Sequence, residues 1–283
     1  MPAGKGNAEQ IAYWNGEAGR SWTDQQERLD AMMMHIADAG LNAAAPAPGE
    51  LALDIGCGTG GTALMLADRV GWAGRVVGID VSSPMLARAR ARAAEHPLAN
   101  RIRFIEADAA EVPLTPGSAE LLFSRFGVMF FEDAVSAFAN LRRGLARHGR
   151  LVFVAWRALE ENPWAHVPLK AGLAHVPGAM LPAPGAPGTF AFADPARVRA
   201  ILDGAGFTDV ALEPYDTEIV LAPTPAEAAR NATTFSALGR LLRGQPEHVR
   251  LKVESELVPV FRDYASPAGI RLPAGCWIVT ARP

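Results

Sequence analysis

A chain of 283 residues, 49% of them hydrophobic, carries enough apolar material to close one large core or two small ones. Its 27 basic and 30 acidic side chains leave a formal charge of -3, which argues against a broad face that grips a nucleic-acid backbone. Cys57 and Cys276 are too few for a disulfide scaffold or a four-thiolate zinc site; with no leader-like segment and no run of about 18 apolar residues, a cytoplasmic protein without membrane or metal is expected.

In chain order, Ala8 to Gly40 reads as two helices bearing Tyr13, Trp14 and Trp22. From Leu51 short apolar runs alternate with helical periods, the pattern of a parallel sheet covered on both faces. Strands are predicted at Leu51 to Ile55, Val76 to Asp80, Ile102 to Ala107, Leu121 to Ser124 and Leu151 to Trp156. Helices fall at about Gly60 to Val70, Pro84 to Glu95 and Asp133 to Ala146; Ser83 is placed to cap the second, and its Arg88, Arg90 and Arg92 read as a solvated face.

After Trp156 the alternation stops, and the Pro- and Gly-rich stretch to Gly188 is longer than an ordinary connection. It resumes with Asp194 as a cap, Pro195 in the first turn and Gly206 as a stop, followed by strand material from Val210 to Leu221. Helices at Pro225 to Leu242 and Pro246 to Tyr264 precede a last strand at Cys276 to Ala281.

The expected fold is therefore α/β, a single domain over 1–283 built on a Rossmann-like, mostly parallel seven-stranded sheet with helices on both faces and helical lid insertions. Its parts are an N-terminal helical lid at 1–45, a cofactor-binding core at 46–156, a lid insertion at 157–193, core again at 194–221, a helical lid insertion at 222–266 and the final core strand at 267–283. Ligands of open α/β sheets bind beyond the carboxyl ends of the strands, and there the three outlying segments are expected to meet as a lid.

The strongest local signal is Leu53-Asp54-Ile55-Gly56-Cys57-Gly58-Thr59-Gly60-Gly61, leaving a strand and entering a helix. Such glycines permit a tight turn and close ligand approach, and the helix start offers free N–H groups. Gly56, Gly58 and Gly61 also satisfy Gly-x-Gly-x-x-Gly, so the motif alone does not separate a dinucleotide site from other nucleoside sites. Asp80, 24 residues after Gly56, ends the next strand, where a carboxylate can accept from both hydroxyls of a ribose. Asp108 follows the third strand and suits the amino group of an adenine.

With these residues in view the sequence resembles the class I S-adenosylmethionine-dependent methyltransferases, well over about Leu51 to Trp156 and more loosely beyond. Within them it looks like the small-molecule branch that holds the ubiquinone and menaquinone biosynthesis C-methyltransferases. The resemblance implies S-adenosylmethionine as cofactor, with Asp54, Gly56, Cys57, Gly58 and Gly60 in the loop beside its methionine moiety. It implies that Asp80 holds the ribose, Val81 and Met85 lie near the adenine, and Asp108 and Ala109 meet its amino edge. Ser124, Arg125 and Phe126 would stand beside the transferable methyl, and Trp22 would close over the cofactor. Ser124-Arg125-Phe126-Gly127 stands where base methyltransferases carry an Asn- or Asp-Pro-Pro-aromatic motif, which points away from nucleic acid as partner.

The function this implies is methyl transfer to a small, partly apolar metabolite by in-line displacement; the alternatives are a nicotinamide oxidoreductase and a non-catalytic S-adenosylmethionine-binding module. No catalytic base is assigned: His35, Glu160, Glu161, His166, His175 and Tyr264 are in reach of the lid segments, each with a packing or surface role as the competing reading. Phe126, Met129, Phe130, Phe131, Trp156, Trp164, Phe190 and Phe192 divide between core packing and an apolar acceptor pocket, and Arg125 between an acceptor anion and backbone carbonyls. Self-association as a homodimer is left open.

Overall fold

The computed structural model describes residues 7–179, 183–235 and 237–283. Its elements are α1 (Ala8–Asn15), α2 (Glu17–Asp24), α3 (Gln26–Ala44), β1 (Leu51–Ile55), α4 (Gly61–Val70), β2 (Arg75–Asp80), α5 (Ser83–Ala94), β3 (Ile102–Glu106) and β4 (Ala119–Arg125). Then follow α6 (Ala134–Gly144), β5 (Leu145–Trp156), α7 (Pro163–Leu173), α8 (Pro195–Gly204), β6 (Thr208–Ala222), α9 (Pro225–Phe235), α10 (Ala237–Leu242), α11 (Glu247–Arg262), β7 (Ala265–Ser266) and β8 (Gly269–Arg282).

The five apolar runs form strands as expected, because a parallel sheet covered on both faces buries nearly every side chain of its central strands. The order is β3-β2-β1-β4-β5-β8-β6, with short β7 paired to β8, and the pairs β1–β2, β1–β4, β2–β3 and β4–β5 are parallel. This is the expected Rossmann-like α/β sheet. β1 has β2 on one side and β4 on the other, so its C-terminal end is the point where the strand order reverses and a crevice opens.

The chain divides into two compact units, one of 1–156, 185–214 and 277–283, the other of 157–184 and 215–276. In the first, Leu41, Leu66, Val70, Val76, Ile102, Leu121 and Phe123 share one buried cluster. Gly40 lets α3 lie close on the sheet, since a Cβ there would stand 2.6 Å from Val154 and 3.3 Å from Phe123. Phe138, Phe153, Phe192 and Phe207 form a further aromatic core, so Phe192 and Phe131, which meets Phe138 edge-on, are packing residues.

The second unit buries Ala228, Leu238, Leu242, Val253, Leu257, Phe261 and Leu272 together. It contains α7, where the sequence suggested only an interruption: Asn162 and Pro163 start it, and Pro168 lies inside it. Thus two of the three outlying segments pack with each other, while the N-terminal helices belong to the first unit.

Other departures are local. The N-terminal segment forms three helices rather than two, with breaks at Gly16 and Gln25. Asp194 caps α8 by accepting from Ala196 N at 2.8 Å, as read from the sequence. Ser83 does not cap α5: it is already the first helical residue, and its hydroxyl donates to Glu106. No helix among the described residues is long and apolar enough to cross a membrane.

Candidate active site

The turn out of β1 is built by backbone crowding. Gly56 has φ 67°, and a Cβ on it would lie 2.6 Å from Cα of Gly127, in the turn that leaves β4. Any larger residue would drive the two strand ends apart while also straining its own backbone. Gly58 (φ 53°) is similarly confined, with the Met85 methyl 2.7 Å from where its Cβ would be. Ser124 ties the same strand ends together, donating to Ile55 O at 2.7 Å and accepting from Gly127 N at 3.2 Å.

Asp54 is fully buried beneath this turn. Its Oδ2 accepts from Thr62 at 2.6 Å, whereas Oδ1 is sealed from solvent and makes no hydrogen bond among the described residues. Burial pushes the carboxyl up to about 7, against the Thr62 bond and the charge of Arg125, with the Asp80 charge adding to the rise. A buried acceptor left without a donor is expensive, and it marks where a ligand donor would be welcome.

At the end of β2, Asp80 accepts from Gly58 N at 2.7 Å and Ser82 N at 2.8 Å. Burial raises its pKa and these bonds oppose the rise. Each carboxylate oxygen has a second lone pair, so both keep room for a further donor. After β3, Asp108 accepts through Oδ1 from Ala110 N at 2.9 Å and from Asn7 Nδ2 at 3.0 Å. Ala109 is buried, and its carbonyl accepts from Asn140 at 3.3 Å.

The end of β4 is strained. Phe126 has φ 65°, rare for a bulky residue, and is held there by a 2.9 Å bond from its N–H to Val154 O. Its ring stacks on Trp156 at 4.2 Å and 6°. The Arg125 side chain makes no hydrogen bond or ion pair among the described residues; burial lowers its pKa while the Asp30 and Asp54 charges favour its cation.

One expectation, the solvated face, needs correction, and the side chains of Cys57 and Trp22 have definite surroundings. Cys57 gives the turn its backbone and not its thiol, which packs inward where a Cβ on Gly78 would stand 2.8 Å away; burial raises that thiol far above its usual range. Arg88 and Arg92 do not form a solvated face: Arg92 donates to Thr59 O at 2.7 Å and pairs with Asp30 at 2.8 Å, and Arg88 donates to Gln26. Trp22 meets Trp14 edge-on at 5.8 Å, and Trp14 in turn meets Phe130 at 5.3 Å, so Trp22 is one member of an aromatic group.

Sequence reasoning missed the polar ties of the N-terminal helices. Asn15 donates to Val81 O at 2.7 Å and accepts from Ser83 N at 2.9 Å, and Trp14 O accepts from Ser82 Oγ at 2.7 Å. Asn7 joins Asp108 to the backbone N–H of Glu132. Partners 66 to 125 residues apart leave no local spacing to read. Among the candidate bases, His175 is paired with Glu256 at 2.6 Å and Glu161 is bound by Arg157 and Ala158 N, while Tyr264 packs against the apolar cluster of the second unit.

Residues 52–149, which contain the glycine turn, Asp80, Asp108 and the β4 end, match the family model described as "Methyltransferase domain". This stretch of the chain is similar to methyltransferase domains. Over 100 residues it is 44% identical to demethylmenaquinone methyltransferase of Thermus thermophilus, covering 35% of this chain and 44% of that one. Over 177 residues it is 33% identical to Nocamycin O-methyltransferase of Saccharothrix syringae, covering 58% and 61%. The chain thus spans about half the length of the curated relatives it matches. The solved structure of the YcgJ protein from Bacillus subtilis shares the fold, with a TM-score of 0.58 at 16% identity, covering 88% of this chain and 98% of that one. In this stretch the acidic residues with spare acceptor capacity stand at the ends of β1, β2 and β3, three neighbouring strands.

Proposed function

We propose that the protein binds S-adenosylmethionine and transfers its methyl group to a small, partly apolar metabolite in the cytoplasm. The observation that carries this reading is the shared rim on which the glycine turn after β1, Asp80 after β2 and Asp108 after β3 stand side by side. Adjacent strands lie about 4.8 Å apart, so the three strand ends spread over roughly 10 Å, the scale of a nucleoside.

The residues fit that cofactor. Asp54 lies directly beneath the glycine turn, where its carboxyl attracts the ammonium of an amino-acid tail seated on that turn. Asp80 accepts from the ribose hydroxyls while Gly58 and Ser82 fix its orientation. Asp108 accepts from the base amino group. The bound cofactor supplies a methyl already activated by a sulfonium: the S–C bond breaks as the acceptor's O, N, C or S bonds to carbon, the S–C electrons stay on sulfur, and the acceptor gives up any extra proton.

The chain's work is to align the two reactants and exclude water. The Phe126–Trp156 stack supplies a flat apolar wall at the β4 end, suited to an unsaturated or aromatic acceptor. Arg125 gives a positive charge beside it. The relatives' names, demethylmenaquinone methyltransferase and Nocamycin O-methyltransferase, favour small organic acceptors. The helices α1–α3, tied to the rim through Asn15 and Trp14, act as a lid at the ends of β2 and β3.

Calorimetry with S-adenosylhomocysteine tests the reading. Binding in the micromolar range, lost on Asp80→Ala, is expected; absence of binding to the wild-type protein, or equal binding by the variant, would overturn it.

A further inference from the structure

The helix α1 has no fully buried residue, and its apolar packing is the edge-on contact of Trp14 with Trp22 and Phe130. Each of its ends also carries an asparagine bonded to the rim. Asn15 closes the C-terminal end onto Val81 O and Ser83 N, beyond β2. Asn7 stands at the N-cap, where an asparagine ordinarily accepts from the N–H groups of its own first turn. It makes no such bond. Its carboxamide is turned outward, with Nδ2 donating to Asp108 Oδ1 at 3.0 Å and Oδ1 accepting from Glu132 N at 2.9 Å.

The effect falls on one carboxylate. Asp108 Oδ1 receives two donors, Asn7 Nδ2 and Ala110 N, which use both of its lone pairs. Oδ2 makes no hydrogen bond among the described residues and is not one of the sealed, partnerless atoms. With the first oxygen saturated, the plane of the carboxylate is fixed and the second is presented as the available acceptor. A carboxylate has acceptor capacity only and no proton to offer.

We infer that Asn7 is a positioning residue for base selection: by holding Asp108 it makes the rim accept a base bearing an exocyclic amino group and reject one bearing a carbonyl at the same place. A carbonyl oxygen facing the free carboxylate oxygen leaves two acceptors opposed with no proton between them, a mismatch that hydrogen-bonding sites reject strongly. This rests on the reading of the rim as an adenosine site.

The test compares the affinities of the full chain for S-adenosylhomocysteine and S-inosylhomocysteine, in which the base amino group is replaced by a carbonyl and the neighbouring ring nitrogen N1 changes from acceptor to N–H donor. The wild-type protein is expected to prefer the adenosyl compound by at least about tenfold. In Asn7→Ala the preference should shrink several-fold, with most of the loss in the adenosyl compound. Asn15→Ala loosens the other end of the same helix and should weaken both compounds alike, leaving their ratio unchanged.

A preference retained in Asn7→Ala, or lost equally in Asn15→Ala, would overturn the positioning role. So would tighter adenosyl binding by Asn7→Ala, because it would make Asn7 a competitor for Asp108. Wild-type protein that binds neither compound would overturn the adenosine reading of the rim, a result distinct from any of these.

Discussion

The two compact units differ in how several of their buried polar groups are partnered. In the second, the buried Asn162 carboxamide donates to the carbonyls of Arg157, Ala158 and Gly275 and accepts from Trp164 Nε1 at 2.8 Å and Gly275 N at 3.0 Å. Thr233 donates to Glu254, which Arg250 also binds, and His175 and Lys252 share Glu256. These groups find their partners within the unit. In the first unit, at the strand ends, one oxygen of the buried Asp54 has none, Arg125 is unpaired among the described residues, and Phe126 holds a backbone conformation rare for its kind. Unmet bonding capacity gathered at one edge of a well-packed sheet signals a ligand, whereas mutual satisfaction signals structure.

The largest effect that would sharpen this contrast is Gly56→Val. Left-handed backbone and the contact with Gly127 act together, so a loss of about 3 kcal/mol or more is expected, lowering Tm by roughly 6–12 °C in thermal unfolding. A variant as stable as the parent would mean that the two strand ends are not in contact. In the second unit, Asn162→Ala strands several buried groups and should cost about 2–4 kcal/mol, yet leave S-adenosylhomocysteine affinity within a few-fold. Loss of that affinity would break the division between a binding edge and a structural unit.

Asp80→Ala should cut S-adenosylhomocysteine affinity by roughly 100-fold in calorimetry, the scale of losing charged hydrogen bonds from one site. The smallest effect concerns Asp54 and pH. Its folded pKa of about 7 lies above the ordinary carboxyl value of 3.8, so between these values the folded, ligand-free protein keeps a proton that the unfolded chain releases. Stability from this group is full below 3.8 and is lost as pH rises through about 7; Asp80 is shifted in the same direction. Asp54→Asn should therefore flatten the fall in Tm between pH 5 and pH 8 while weakening S-adenosylhomocysteine binding at pH 8. An unchanged pH slope would show that Asp54 is not the titrating group.

Much of the site was legible because strand ends are local. The runs ending at Ile55, Asp80 and Glu106 show their period in a handful of residues, and a carboxylate or glycine just beyond each is placed at once on the carboxyl edge of a parallel sheet. Helix α7 was hidden by Pro168, which reads as a breaker, although the helix accommodates it. Arg88 and Arg92 look like a charged surface until α3 is brought over them.

By itself the sequence determined the alternation of strands and helices, the glycine turn and the acidic residue at each strand end, because these follow from periodicity and chain geometry over short distances. Only the tertiary structure decided which carboxylate oxygens are taken and which remain available, that the Cys57 thiol faces inward, and that Asn7 and Asn15 fasten the first helix to the rim. Those outcomes depend on which donors folding brings within about 3 Å of an acceptor. Residues more than 60 positions apart carry no trace of that meeting in their spacing.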